Sequence, residues 1–294
     1  MKYDLTPQMQ PLVVGDCLEV MRGMPDKCVD LVFCSPPYES ARTYGVNFKL
    51  KGDDWIVWAV ERYLECVRIC RGLVAWVVEG QTRNFRWSAT PAILMARLHR
   101  KGVHLRKPPA FHRVGIPGSG GPDWLRNDYE FIVCGTSGGK LPWSCNTACG
   151  SPPKFAPGGD CTNRKVNGDR IRYPGRIHQD GIRGEKRSGA PRYKPPAIAN
   201  PGNVINCGAA GGGNIGSKLA HENEAPFPEA LAEFFIRSFC PPGGIVADPF
   251  VGSGTVPAVA EMHGRKWWGC DIRGTQIELT QRRIAEVQAK EAPA

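Results

Sequence analysis

The chain has 294 residues, 41% hydrophobic and 22% charged, which is enough to bury one large core or two modest ones. No run approaches the roughly 18 uninterrupted apolar residues of a membrane span, and no basic flank with an apolar block opens the chain, so we expect a cytoplasmic protein without a membrane partner. The net charge is +10, and residues 151–220, with 12 Lys and Arg against 4 Asp and Glu, supply +8 of it.

Short apolar runs alternate with helical periodicity at both ends of the chain, which is typical of strand and helix units in a parallel sheet. In chain order the pattern predicts strands at 11–14, 29–34, 73–78, 131–134, 244–247 and 266–270, and helices at 17–24, 55–71, 90–100, 228–239, 255–263 and 275–289. We therefore predict an α/β fold with a Rossmann-like, doubly wound, mostly parallel sheet. Its domain is discontinuous, comprising 1–139 and 221–294.

The intervening lobe, residues 140–220, is rich in Gly, Pro, Arg, Lys and Asn and poor in large apolar residues. Such a segment cannot form an ordinary independent core, so we predict either a mobile insertion or a small lobe that a partner orders. Its basic excess points to a polyanion. A solvated basic loop without a partner is the alternative.

A compact polar motif, Cys34-Ser35-Pro36-Pro37-Tyr38, directly follows the predicted strand 29–34. In an open parallel sheet, ligands bind outside the carboxyl ends of the strands, so this motif should face a crevice. The prolines stiffen the chain and leave carbonyls free to accept hydrogen bonds. The motif suits an extruded base, whose exocyclic amine would donate to Ser35 and the Pro36 carbonyl while Tyr38 stacks on its face. A surface turn or a polyproline ligand is the alternative.

Such a motif would have to activate an aromatic amine, which is a weak nucleophile. The lone pair of an aromatic amine is delocalised into the ring. Acceptors that pull the amine hydrogens out of the ring plane would localise this pair and point it at an electrophile. Catalysis would rest on orientation and electrostatics, without a covalent enzyme intermediate.

A glycine turn lies between a strand and a helix near the other end of the chain, in the stretch from Val246 to Thr255. Such a turn lets the backbone approach a ligand, although Gly252-x-Gly254 lacks the third glycine of a dinucleotide fingerprint. The next predicted strand is followed by Asp271, whose carboxylate could accept both hydroxyl hydrogens of a ribose. Capping of the following helix is the alternative for Asp271.

These stretches resemble the cofactor motifs of S-adenosylmethionine-dependent DNA amino-methyltransferases. The resemblance is carried by Asp248-Pro249-Phe250-x-Gly252-Ser253-Gly254-Thr255, by Gly264-Arg265-Lys266, by Gly269-x-Asp271-Ile272 and by the preceding stretch 221–229. It implies S-adenosylmethionine as cofactor, with Asp271 on the ribose and a pocket lined by Phe227, Asp248, Phe250, Gly252 and Gly254. Ordinary core packing is the alternative for the two phenylalanines.

The version Ser35-Pro36-Pro37-Tyr38 resembles the one that this family associates with cytosine N4 methylation, whereas adenine N6 enzymes usually carry Asp or Asn at the first position. We therefore favour cytosine N4 and keep adenine N6 as the alternative. A cytosine C5 enzyme would need a Pro-Cys dipeptide, which the sequence does not contain.

Two further stretches resemble motifs of the same family. Gly15-Asp16 resembles a strand-ending pair near the adenine of the cofactor, which makes Asp16 a cofactor candidate, with helix capping as its alternative. The stretch 127–131 resembles a later motif on the substrate side, to which we assign no catalytic role.

The motif order, reactive motif first and cofactor motif last, resembles the beta arrangement of these enzymes, and the resemblance leaves the basic lobe unmatched. We expect that lobe to recognise double-stranded DNA through Arg164, Lys165, Arg170 and Arg172. A homodimer and a cognate restriction enzyme are partners that the resemblance leaves open. A nucleic-acid-binding protein without activity is the alternative from another class.

The twelve cysteines are spread over the chain, several inside apolar runs, which predicts reduced and mostly buried thiols. A zinc site in the lobe would have to use unusual spacing among Cys145, Cys149, Cys161, His178 and Cys207. Because that spacing matches no recognised finger pattern, we favour unpaired thiols and predict no metal.

Overall fold

The computed structural model describes residues 11–39, 48–114, 120–123, 125–152, 162–164, 170–172, 197–208, 216–223 and 225–291. Its strands are β1 (Leu12–Val14), β2 (Val29–Cys34), β3 (Cys70–Val78), β4 (Thr82–Arg83), β5 (Arg86–Trp87), β6 (His104–Leu105), β7 (Ala110–Val114), β8 (Tyr129–Thr136), β9 (Thr162–Arg164), β10 (Arg170–Arg172), β11 (Val204–Gly208), β12 (Ile245–Asp248) and β13 (Lys266–Asp271). Its helices are α1 (Cys17–Arg22), α2 (Gly52–Ile69), α3 (Thr90–Arg100), α4 (Glu229–Phe239), α5 (Thr255–Met262) and α6 (Gly274–Glu291), with a 3-10 helix at Lys218–Glu222.

The described strands build a nine-stranded sheet with the order β1-β13-β12-β2-β3-β8-β7-β11, and β6 pairs with β8. In the part of the sheet with the order β1-β13-β12-β2-β3, neighbouring strands are parallel. β8 is antiparallel to both β3 and β7. The predicted α/β fold with a mostly parallel sheet is confirmed. The carboxyl ends of β2, β3, β12 and β13 share one edge, which is where a ligand of such a sheet binds.

Both faces of the sheet are covered because successive side chains of a strand point to opposite faces. In β2, Val32 and Cys34 join one core, formed with α1, α2 and α3, while Leu31 and Phe33 join the other, formed with α4 and α5. This two-sided burial explains why β2 is apolar on both faces from Leu31 to Cys34. The cysteines at 34, 134 and 270 are buried within strands, as predicted.

The chain divides into two compact units, one of residues 1–145 and 202–294 and the other of 146–201. These limits are narrower than the predicted lobe at 140–220, because β11 joins the main sheet beside β7. Within the second unit, β9 and β10 are an antiparallel pair. Among the described residues, no helix is long and apolar enough to cross a membrane.

Candidate active site

Two motifs that are far apart in the sequence lie side by side at the carboxyl edge of the sheet. In the parallel pair β2 and β12, Leu31 is opposite Val246 and Val32 is opposite Ala247. The chain leaves β2 into Ser35 and leaves β12 into the glycine turn, so both motifs emerge from neighbouring strands in the same direction. The register thus brings together the reactive motif and the cofactor motif predicted from the sequence.

The reactive motif is held by hydrogen bonds of its own side chains. Ser35 Oγ lies 3.3 Å from the hydroxyl of Tyr38 and 3.4 Å from the carbonyl oxygen of Val77 on β3. A serine hydroxyl that donates to either oxygen keeps lone pairs with which it can accept from an amine. The Pro37 carbonyl is engaged differently, because it accepts a hydrogen bond of 2.9 Å from Trp55 Nε1.

Glu130 of β8 is a site residue to which the sequence analysis gave no role. Its Oε2 accepts a 2.7 Å hydrogen bond from the Tyr38 hydroxyl, and its Oε1 lies 3.1 Å from Nη1 of Arg113. Burial raises the pKa of Glu130, whereas Arg113 and the tyrosine hydroxyl oppose that rise. The sequence shows only a glutamate beside the apolar run 131–134, which by itself does not place Glu130 near Tyr38.

Glu79 lies one residue beyond β3, and the antiparallel register of β3 and β8 places it opposite Glu130. Its Oε1 accepts hydrogen bonds from the Gly80 amide at 2.8 Å and from Trp87 Nε1 at 3.2 Å. Burial raises the pKa of Glu79, and the charge of Glu130 adds to this rise. Two carboxyl groups with raised pKa values therefore lie next to the reactive motif.

The glycine turn has the backbone conformation that its glycines permit. Gly252 and Gly254 have φ values of 51° and 76°, a region that L side chains rarely adopt. A Cβ at Gly254 would come within 2.8 Å of Thr280 on α6, so the turn also needs the missing side chain for packing. The turn opens directly into α5, which aims helix amides toward the sheet edge.

Asp248 ends β12 and is fully enclosed, with 1% of its surface exposed. One carboxylate oxygen accepts a 3.0 Å hydrogen bond from the Phe250 amide. Burial raises its pKa from 3.8 to about 8, and the negative charge of Asp271 adds to the rise. The site therefore contains a carboxyl group whose ionisation a nearby cation would favour.

Asp271 at the end of β13 bridges two parts of the turn region. Its Oδ2 accepts from the Gly252 amide at 3.1 Å and its Oδ1 accepts from the Arg273 amide at 2.9 Å. Because α6 begins at Gly274, this bond to the Arg273 amide lies before the helix and is not the capping bond that was the alternative for Asp271. The guanidinium of Arg273 also approaches this carboxylate, with Nε 3.8 Å from Oδ1.

Asp16 lies next to Asp271, because Val14 of β1 pairs with Asp271 and the Gly15 amide donates to the Asp271 carbonyl at 2.9 Å. Its carboxylate caps α1 through the Leu18 amide at 2.8 Å and contacts Nη2 of Arg62 at 2.7 Å. Capping, the alternative for this residue, is thus observed.

The two predicted phenylalanines lie on different sides of the sheet. Phe250 packs against the core of α1 to α3, with its ring 5.7 Å from that of Trp58 and 5.5 Å from that of Trp76. Phe227 packs against the other core, 5.4 Å from the ring of Phe33. Both rings are only partly buried, so core contact accounts for part of each ring.

The predicted DNA contacts fall in the second unit. Arg164 lies in β9, and Arg170 and Arg172 lie in β10, with Arg164 opposite Arg170 in the backbone register. Lys165 lies outside the described residues, as do Cys161 and His178 of the zinc alternative. Within the part of the chain that the structure describes, no three His, Cys, Asp or Glu residues form a group that could hold a metal ion.

A family model described as DNA methylase, of the N6 and N4 type, matches residues 29–282. The orphan methyltransferase M.BamHII of Bacillus amyloliquefaciens is 27% identical over 286 residues, covering 92% of this chain and 90% of that protein. The DNA adenine methyltransferase YhdJ of Escherichia coli K12 is 25% identical over 282 residues, and the match covers 94% of this chain and 83% of YhdJ.

Among solved structures, the cytosine-N4-specific PvuII DNA methyltransferase superposes with a TM-score of 0.64 at 17% identity. The match covers 95% of this chain and 91% of that one. At this identity the likeness establishes a shared fold.

Proposed function

Since the chain belongs to the N6 and N4 family of DNA methylases, we propose that it transfers a methyl group from S-adenosylmethionine to the exocyclic N4 amine of a flipped cytosine in double-stranded DNA. The observation that carries the proposal is the pairing of β2 with β12. This pairing sets a motif of amine acceptors, Ser35 to Tyr38, beside a glycine turn with two carboxylates. The proposal includes the cytoplasmic location predicted from the sequence.

The residues around the glycine turn fit S-adenosylmethionine. Its ribose offers two hydroxyl donors, and a carboxylate that ends a strand of the sheet, as Asp271 does, is the group that accepts them in nucleotide-binding folds of this kind. Its sulfonium carries a positive charge, which matches a site where burial and the charge of Asp271 raise the pKa of Asp248. The positive φ of Gly252 gives the close backbone approach that a nucleotide-like ligand needs. When bound, the cofactor supplies an electrophilic methyl group.

The side chains of the reactive motif would orient the base. Ser35 Oγ and the Pro36 carbonyl accept the two amine hydrogens, which localises the nitrogen lone pair. The Tyr38 ring stacks on the base, and its hydroxyl is fixed by Glu130 at 2.7 Å. Orientation and electrostatics are then the source of the rate enhancement.

Adenine N6 is the second candidate, because the relative YhdJ is described as a DNA adenine methyltransferase. The serine at position 35 favours cytosine over this candidate. An inactive DNA-binding protein would have no need for the arrangement of Ser35, Tyr38 and the glycine turn. A cognate restriction enzyme is not required by the proposal, since M.BamHII is described as an orphan methyltransferase.

Sequencing the DNA of an expressing strain for modified bases tests the proposed substrate. We expect N4-methylcytosine at one short recognition sequence, absent from the same strain carrying Ser35→Ala. N6-methyladenine instead would favour the second candidate. Unmodified DNA together with retained DNA binding would favour the inactive binder.

The cofactor assignment has its own test in Asp271→Ala. Loss of charge-assisted hydrogen bonds should weaken S-adenosylmethionine binding by about 1.5–3 kcal/mol, measured by calorimetry. Asp26→Ala, at an exposed carboxylate on a distant turn, is the control and should bind normally. Unchanged affinity in Asp271→Ala would remove Asp271 from the cofactor site.

A further inference from the structure

The segment between β3 and α3 forms a hairpin of β4 and β5 at the same sheet edge as the reactive motif. Thr82 pairs with Trp87 and Arg83 with Arg86, so Asn84 and Phe85 form a two-residue turn at the tip. The hairpin leaves the sheet just after Val77, whose carbonyl contacts Ser35. It therefore begins within a few residues of the proposed base site.

The base of the hairpin is tied to the reactive motif through Glu39, the residue after Tyr38. Glu39 is 5% exposed, its carboxylate accepts from Thr90 Oγ1, and its carbonyl accepts from the side chain of Gln81. The backbone amide of Gln81 donates to Ser88 Oγ at 3.0 Å, which closes the hairpin at its foot.

Trp87 fixes the second strand of the hairpin to the sheet. Its ring stacks on Phe131 of β8 at 6.1 Å, and its Nε1 donates to Glu79 at 3.2 Å. A Cβ at Gly80 would come within 2.6 Å of that same nitrogen, so the foot of the hairpin is closely packed. The hairpin is therefore packed against β3 and β8, the two strands that contact Ser35 and Tyr38.

The two residues at the tip, Asn84 and Phe85, are not the pair that favours such a turn. Asn84 and Phe85 have φ values of 49° and 60°. A two-residue hairpin turn of this kind prefers Asn followed by Gly, and a bulky residue with positive φ is strained. Phe85 nevertheless remains 70% exposed, so burial does not offset this strain. Strained residues of this sort cluster at functional sites.

We propose that this hairpin tip docks on duplex DNA at the target base pair, and that Phe85 enters the base stack in the space that the flipped base leaves. The inference rests on the proposed function. Apolar side chains such as phenylalanine wedge between bases, and unstacking and unpairing cost a few kcal/mol that an enzyme must supply. The exposed Arg83 and Arg86 flank the ring and match the phosphates on either side.

The test uses the full-length protein and a duplex with the recognition sequence found by modified-base sequencing. Phe85→Gly removes the ring and relieves the positive φ, while Phe85→Leu keeps an apolar wedge. Met262→Ala is the control, because Met262 is 41% exposed at the end of α5, which runs from the glycine turn to the opposite sheet edge. Each variant is assayed on a matched duplex and on one with an abasic site opposite the target base.

Phe85→Gly should lower kcat/KM at least about tenfold on the matched duplex and less than about threefold on the abasic duplex, where no base pair has to be opened. Its Tm should equal or exceed that of the wild type, because the ring is exposed and the backbone is relieved. Phe85→Leu and Met262→Ala should stay near wild type on both duplexes.

An equal defect of Phe85→Gly on both duplexes, or no defect on either, would overturn the wedge. If Phe85→Gly proves less stable than the wild type, Phe85→Asn replaces it, because Asn tolerates positive φ without supplying a wedge. A Phe85→Asn defect confined to the matched duplex then supports the wedge, and an equal defect on both duplexes overturns it. A wild-type protein that transfers no methyl group would instead contradict the proposed function.

Discussion

Tyr38 contacts both Ser35, which was predicted from the sequence, and Glu130, which was not. Its hydroxyl lies 3.3 Å from Ser35 Oγ and donates to Glu130 at 2.7 Å. Arg113 holds the other oxygen of Glu130 at 3.1 Å. The ring is therefore fixed in place before a base arrives, which reduces the entropy lost on stacking.

Replacing Tyr38 separates the ring from its hydroxyl. Tyr38→Ala should weaken transfer to DNA by about 1–3 kcal/mol, because a base–aromatic stack is removed. Tyr38→Phe should have a smaller effect, because the ring remains and only the bond to Glu130 is removed. Steady-state kinetics with DNA and calorimetry with S-adenosylmethionine check both variants. A loss of cofactor affinity as large as the loss of transfer would contradict the placement of Tyr38 on the substrate side.

Asp248 makes the stability of the protein depend on pH. An aspartate whose pKa is 3.8 when unfolded and about 8 when folded must take up a proton on folding between these values. Stability should therefore fall as the pH rises above about 4, and the loss should be complete above about 8. Asp248→Asn stays neutral and keeps an oxygen that can accept from the Phe250 amide.

Without added cofactor, Asp248→Asn should match the wild type at about pH 4 and exceed its free energy of unfolding progressively up to about pH 8. A tenfold change in an ionisation constant corresponds to about 1.4 kcal/mol, so the difference at high pH should reach several kcal/mol. Urea unfolding at a series of pH values measures it. A difference that does not change with pH would show that Asp248 titrates normally in the fold.

At the scale of elements, α4, α5 and α6 are joined by the fully buried Arg283 of α6. Its Nη1 donates to Thr255 Oγ1 at 2.9 Å and to the Ser253 carbonyl at 3.3 Å, and its Nη2 donates to Glu229 at 2.6 Å. A single guanidinium thus links the glycine turn to the first residue of α4. These bonds hold the glycine turn between β12 and α5 in one conformation.

Arg283→Met should destabilise the fold by about 3 kcal/mol, because the mostly buried Glu229 and the glycine turn lose their fully buried partner. The double variant Arg283→Met with Glu229→Gln should recover part of that loss, since no unpaired carboxylate remains. Urea denaturation of Arg283→Met, of Glu229→Gln and of the double variant measures the three losses of stability. A double variant that is as unstable as the sum of the two single variants would show that the pair is not coupled.

The long elements could be predicted from their apolar pattern, whereas short edge strands could not. β2 and α3 begin and end at the predicted residues, because β2 is apolar at every position except Asp30 and α3 has a complete amphipathic stripe. β7 and β11 were missed. In β11 only Ile205 and Cys207 are buried, in alternation within a Gly- and Pro-rich stretch, and two residues cannot distinguish a strand from a loop.

The hairpin of β4 and β5 also escaped prediction, because Asn84 and Phe85 are not a usual turn pair. For the site, Ser35 and Asp271 could be found from the sequence because they lie directly at the ends of strands. Glu130 and Glu79 could not, since their proximity depends on the antiparallel pairing of β3 and β8. Pairing of distant strands is a tertiary property that local spacing does not encode.

At the scale of the whole molecule, the uneven charge is the feature most directly related to DNA. Residues 151–220 contribute +8 of the net +10. Phosphate contacts by such residues release counterions and make affinity depend on salt. This property can be measured without knowing the recognition sequence.

Reversing the charge at Arg164, Lys165, Arg170 and Arg172 should weaken DNA binding and lower the slope of log affinity against log salt by about 0.9 for each phosphate that is no longer neutralised. A second quadruple variant reverses Arg22, Arg97, Lys266 and Lys290, which changes the net charge equally at exposed or half-exposed positions of the other unit. Fluorescence anisotropy at several salt concentrations compares the two. Equal slopes in the two variants would remove the four basic residues from the DNA interface.

The central claim is that Ser35 and Tyr38 present an exocyclic amine of DNA to a methyl donor held at the glycine turn. The most direct measurement incubates the protein with unmethylated DNA and S-adenosylmethionine carrying a deuterated methyl group, and then identifies the labelled nucleosides by mass spectrometry. We predict labelled N4-methyldeoxycytidine with the wild type and at least about a hundredfold less with Ser35→Ala, as for removal of one preorganised hydrogen-bonding group. Label on C5 of cytosine, or no labelled nucleoside from a folded protein that binds the cofactor, would contradict the claim.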